Sequence, residues 1–95
     1  MMNEARLTYS ILKEIERKNG KISAADYGID SLKFRHYVMN LQKEGMLSNV
    51  HLGPDETLDF KKVEIQYSGM KYLADHFEWI MPYRNILDRK AWIEL

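Results

Sequence analysis

An α+β fold is predicted for this chain by three features. An amphipathic helix, Phe34-Arg35-His36-Tyr37-Val38-Met39-Asn40-Leu41-Gln42-Lys43-Glu44, ends at Gly45 and passes straight into a strand from Met46. A second strand follows a short turn containing Gly53-Pro54. Two helical stretches precede the whole arrangement. Three helices and then a hairpin is the element order of a winged helix-turn-helix domain. Helical patterns beyond Ser68 predict an additional C-terminal helix.

Taken in order, the first helix is expected from about Glu4 to Asn19, with Asn3 as N-cap. Leu7, Ile11, Leu12 and Ile15 fall on one face, and Lys13, Glu16 and Arg17 on the other. Asn19-Gly20 should end it, since glycine tolerates a left-handed cap. Lys21-Ile22 reads as extended, with Ile22 in the core. Ser23 can cap a brief helix over Ala24 to Tyr27, closed by Gly28. Asp30 is a suitable N-cap for a third helix, about Ser31 to Glu44, whose core face holds Phe34, Tyr37, Val38 and Leu41.

Met46 to Leu52 reads as a strand with Leu47 inward, Gly53 to Thr57 as a turn, and Leu58 to Ile65 as the return strand carrying Phe60, Val63 and Ile65. Ser68 is expected to cap a fourth helix with Met70, Leu73 and Phe77 inward. Pro82 marks a break. A last helix, about Tyr83 to Glu94, would bury Ile86, Leu87 and Ile93, with Tyr83 and Ala91 at its margins. Trp92 points away from that stripe. It can fold back on the first helix or anchor a second copy, so a homodimer through the C-terminal helix stays open.

The 95 residues fit a single domain spanning 1–95, one that buries roughly 60–65% of its unfolded surface. With 45% hydrophobic and 29% charged residues, the composition is globular and not that of a disordered chain. Cysteine is absent, which excludes disulfides and thiolate metal sites and suits a cytoplasmic address. The first residues lack the apolar core of a secretory signal, and no run is apolar enough to span a bilayer, so no membrane partner is expected. Fourteen basic and fourteen acidic side chains cancel. That balance counts against a protein whose main task is gripping phosphates, although a local patch can act on a neutral chain.

Four segments together carry a resemblance: Tyr9-Ser10-Ile11-Leu12-Lys13-Glu14-Ile15, Leu41-Gln42-Lys43-Glu44-Gly45, Tyr67-Ser68-Gly69-Met70-Lys71-Tyr72-Leu73 and Ala91-Trp92-Ile93-Glu94-Leu95. In this order the chain resembles the YjcQ-like proteins, small winged-helix proteins of bacterial chromosomes and prophages. The likeness covers nearly the whole chain. Lys-Glu-Gly before a strand is common to many winged helices; the amino-terminal Ile-Leu-Lys-Glu-Ile with the final Trp-Ile-x-Leu is more specific. The resemblance implies a cytoplasmic bacterial or phage protein with DNA handling as its expected task. It carries no catalytic or binding residues over to this sequence.

Candidate chemistry centres on the solvent face of the third helix, which in such a fold enters the major groove. Lys33 and Arg35 can reach guanine or phosphate, Asn40 can pair with adenine, and Met39 can touch a thymine methyl. His36 and Lys43 lie on the same side. From Asp30 to Glu44 the net charge is only +1, and Leu32 and Met39 are apolar there, which suits a protein partner about as well as a DNA groove. Lys61 and Lys62 on the wing can meet phosphates, but Asp55, Glu56 and Asp59 near the tip have the wrong sign. Double-stranded DNA and another protein are thus the two partners weighed.

His36, His51 and His76 lack metal-ligand spacing, so no metal or other cofactor is expected. Ser48, His51 and Asp55 have no nucleophile elbow or oxyanion loop around them, and Gly53 and Gly69 are too isolated to form a phosphate loop. A non-enzymatic protein is the expectation.

Overall fold

The computed structural model describes residues 2–86 and 88–95. Helix α1 (Glu4–Glu16) begins at Asn3, whose side chain accepts the Arg6 N–H at 3.2 Å. In α2 (Ala24–Tyr27) the Ser23 N–H donates to Asp26 Oδ2 at 2.9 Å, and Gly28 ends the helix at φ 63°. Asp30 caps α3 (Ser31–Lys43) by accepting from the Leu32 and Lys33 N–H groups. Gly45 then turns the chain out of α3 at φ 81°, a conformation that a side chain resists.

The first helix is shorter than its pattern suggests. It stops at Glu16, and Lys18, not Gly20, takes the left-handed conformation, with φ 62°. The cause is Asn19. Its backbone N–H donates to the Glu14 carbonyl at 2.9 Å and its Nδ2 to the Glu14 carboxylate at 2.9 Å, so the chain winds in before the glycine is reached.

The expected strands are each broken in two. β1 (Leu47–Ser48) pairs antiparallel with β4 (Glu64–Ile65), and β2 (His51–Leu52) with β3 (Leu58–Asp59). Between the two ladders, residues 49–50 face residues 60–63, a bulge on the return strand. The break has a packing cause. The Val50 N–H is taken by Gln42 Oε1 of α3 at 2.8 Å, Asn49 adopts φ 62°, and both Val50 and Phe60 turn into the core. The elements still form one hairpin that returns beside α3, so the architecture is winged-helix-like α+β.

Helix α4 (Tyr67–Asp75) starts at Gln66, not at Ser68. The Gln66 N–H continues the hairpin ladder to the Met46 carbonyl at 2.9 Å, and the helix follows at once. Gly69 is the buried contact of α4. A Cβ there would sit 2.5 Å from the Met46 carbonyl oxygen, so only glycine permits this approach. With Gly69 inward, Tyr72, Leu73 and His76 share its side, while Met70 and Phe77 point to solvent instead of the core. The bend comes at His76 (φ −113°, ψ 37°) and a 3-10 turn, Phe77–Trp79. Pro82 lies within the first turn of α5 (Ile80–Arg84), where a missing N–H costs nothing. The single last helix is therefore replaced by α5 and by α6 (Arg89–Ile93), the latter capped by the Asp88 side chain on the Lys90 N–H. The expectation for Leu87 lies outside the described residues.

α1 is the axis of the molecule. Its apolar stripe packs as expected, and Tyr9, Ser10 and Glu14, outside the stripe or at its edge, are buried as well. The C-terminal segment covers them: Tyr83, expected at a margin, is buried, and Trp92 has no exposed surface at all. Trp92 Nε1 donates to the Arg6 carbonyl at 2.9 Å, so this residue faces its own first helix and not a second copy. Tyr37, Val63, Ile65 and Leu73 are half-buried at the rim of the core. Leu41 lies in the core with Leu7, Ile11 and Val38. Leu41→Ala is expected to cost about 2–5 kcal/mol on urea denaturation. A loss near zero would show that α3 is not packed as described.

Candidate nucleic-acid interface

The seven candidate residues fall into three separate places. Lys33, His36, Asn40 and Lys43 are exposed along the outer face of α3. Their spacing follows from the helix: ten residues separate the two lysines, about 15 Å along the axis. Lys33 and Lys43 make no ion pair among the described residues. Asn40 Nδ2 donates to Glu44 Oε1 at 2.9 Å, which engages one of the groups an adenine would need. Lys33, His36 and Asn40 border a shallow groove of about 700 Å³ toward α1 and α4, with Met2, Tyr37, Met46 and Tyr72 inside it and Glu4 and Glu44 at its edge.

Arg35 departs from the expected pattern. The hairpin tip bends toward the start of α3, and Arg35 Nη1 donates to the Glu56 carboxylate at 3.2 Å and to the Glu56 carbonyl at 3.3 Å. Its charge is thus answered within the molecule. The net +1 read along α3 falls to zero once Glu56 is counted. Asp55 and Glu56 are exposed there, which keeps the tip acidic.

Lys61 and Lys62 lie in the bulge of the return strand and line a cleft of about 480 Å³ with Lys18, Asn19 and Gly20 at the end of α1. Lys18 was not singled out from sequence. Only the fold brings it beside residues more than forty positions away.

Among the histidines, His36 and His51 are exposed, and His76 stacks between Tyr72 and Trp79 at 4.3 and 4.5 Å. His76 Nδ1 lies 2.8 Å from the Tyr72 carbonyl, which can only accept, so this nitrogen carries the proton. Among the described residues no three His, Asp or Glu side chains converge as metal ligands. Ser48 Oγ is engaged by Gln66 Nε2.

A set of strongly perturbed ionisable groups lies away from α3, in a closed network between α1 and the C-terminal segment. Burial would raise the Glu14 pKa, but hydrogen bonds from Tyr83, Asn19 and Arg89, with the Arg89 charge, outweigh it and hold the carboxyl below the usual range. Arg89 Nη2 lies 3.0 Å from Glu14 Oε1. Burial, and then the bond to Glu14, push the Tyr83 hydroxyl up to about 12, so it stays protonated and donates. Ser10 Oγ lies 2.8 Å from both the Tyr27 and the Tyr83 hydroxyls. These groups bind one another, which makes the network a clamp between chain segments.

The fold and this outer face define a class: a small winged-helix-like α+β protein whose third helix presents a polar, lysine-bearing stripe. The YjcQ protein family profile matches residues 5–90. The chain is also 34% identical over 94 residues to the uncharacterized protein YjcQ of Bacillus subtilis (strain 168), covering 98% of this chain and 100% of that one. The chain belongs to the YjcQ family, as the resemblance of its four segments implies. No solved structure matches it. Among the described residues no helix is long and apolar enough to cross a membrane.

Proposed function

We propose that this domain binds double-stranded DNA without catalysing a reaction, with the outer face of α3 in the major groove, in the manner of a transcription regulator. The observation that carries the reading is the exposed stripe of Lys33, His36, Asn40 and Lys43 on the helix that leads directly into the hairpin. Arg35 is left out of the contact set because Glu56 holds it. Lys61 and Lys62 with Lys18 are a secondary phosphate contact. With a neutral chain and an acidic tip, affinity rests on few phosphate contacts and is weak at physiological salt.

A gel shift with random duplex tests this. At low salt the wild type should shift the duplex at micromolar protein. The affinity should fall as salt rises, and Lys33→Ala with Lys43→Ala should lower the salt slope by about two. Arg35→Ala alone should change little. No shift at high micromolar protein would sink the DNA reading. It would favour contact with another protein through the groove beside α3, which is floored by Met2, Tyr37, Met46 and Tyr72, with half-exposed Leu32 at the start of the same helix.

A further inference from the structure

The cleft between the end of α1 and the bulge of the return strand collects charge that the fold leaves unused. Lys18, Lys61 and Lys62 line it together with Glu64, which makes its net charge +2. None of the three lysines makes an ion pair among the described residues. The backbone N–H groups of Gly20 and Lys62, also in the lining, have no acceptor among the described residues. Their neighbours are engaged: the Lys61 N–H donates to Asp59 Oδ1 at 2.9 Å, and the Lys21 N–H to Asn19 Oδ1 at 3.1 Å. The rest of the lining is largely apolar, with Ile15 and Phe60 buried and Val63 half-buried. No residue of α3 takes part.

From these groups we infer that the cleft binds a small phosphate monoester with an organic body, the chemistry shared by mononucleotides and sugar phosphates. Three properties select this ligand. The first is charge. A phosphate monoester carries roughly −1.5 to −2 at neutral pH, which answers the +2 of the cleft. A phosphodiester has a single charge and leaves part of it unanswered. The second is the donor set. Ammonium groups and unused backbone N–H groups are what phosphate oxygens accept from, in charge-assisted bonds. The third is size. A volume of about 480 Å³ is that of a small-molecule site, too roomy for a bare ion, and the apolar lining receives an organic body. The inference goes beyond the DNA reading and does not depend on it. A ligand in the cleft takes the secondary phosphate contact away from a duplex, because both use the same lysines.

Isothermal titration of the full chain at low salt, without DNA, tests the cleft. AMP and glucose 6-phosphate should bind with dissociation constants of about a millimolar or below. The tighter of the two identifies the body. Cyclic AMP, a diester, and adenosine, which has no phosphate, should bind at least about tenfold more weakly than AMP. Lys61→Ala with Lys62→Ala should weaken AMP about tenfold, and Glu64→Gln should strengthen it about threefold. All three side chains are exposed, so the circular dichroism melting curve should stay unchanged. Lys33→Ala, on α3, should leave AMP binding as it was. No binding of either monoester at about 10 mM overturns the inference. So does cyclic AMP that binds as tightly as AMP, or an affinity that Lys33→Ala lowers as much as the loss of Lys61 and Lys62. The titration and the gel shift fail independently, since the titration holds no DNA.

Discussion

Trp92→Ala is expected to remove about 3–5 kcal/mol of folding stability. For a domain of this size that is a large share of what holds it folded. Trp92 packs against Tyr83 at 5.1 Å, Trp79 at 5.6 Å and Tyr9 at 6.0 Å between ring centroids, and the Arg6 guanidinium lies over its ring at 4.1 Å. Truncation empties the centre of that cluster and frees α5 and α6 from α1. Trp92→Phe keeps most of the ring packing and loses the bond to the Arg6 carbonyl, so it should cost less, with that bond worth about 1 kcal/mol. Urea denaturation followed by circular dichroism measures both. A loss near zero for the alanine variant would mean that the last helix is an appendage and not part of the core.

Glu14→Ala should cost about 1–3 kcal/mol, because it leaves the buried Tyr83 hydroxyl and the half-buried Arg89 guanidinium without their shared acceptor. The wild-type carboxyl also makes stability depend on pH, with a defined sign. Its folded pKa lies below its unfolded value, so the folded state stays ionised where the unfolded chain has begun to take up a proton. The contribution is complete above the ordinary glutamate range and is lost as pH falls through the lowered folded pKa. Glu14→Gln should therefore be less stable than wild type at neutral pH, and the gap should narrow in acid. Denaturation midpoints at neutral and acidic pH test this. A gap that stays constant would show that Glu14 is not held charged by Arg89 and Asn19.

Both variants strike contacts that no local pattern announces. Glu14 and Arg89 are seventy-five positions apart, and Tyr9 meets Trp92 across a similar distance. Periodicity places Leu7, Ile11, Leu12 and Ile15 on one stripe, and they are buried there. It has no means to show that Ser10 and Glu14, polar and at the edge of that stripe, are covered too. For the candidate site, exposure of Lys33, His36, Asn40 and Lys43 follows from helical phase alone. The loss of Arg35 to Glu56 depends on how the hairpin tip bends. Phe77 has the apolar character of a core residue and yet faces solvent, because the need to admit Gly69 beside the Met46 carbonyl decides which side of α4 turns in.

By itself the sequence determined the start of α1, both ends of α2 and α3, and the order of the three helices and the hairpin. Asn3, Asp30, Gly28 and Gly45 act on backbone groups within a few residues of themselves, so their effect is independent of the rest of the chain. The tertiary structure alone decided the second buried face of α1, the break in both strands, the pairing of Arg35 and the exposure of Met70 and Phe77. Each of these depends on which distant segment returns to a given surface, and that is settled only when the whole chain competes for the same buried space.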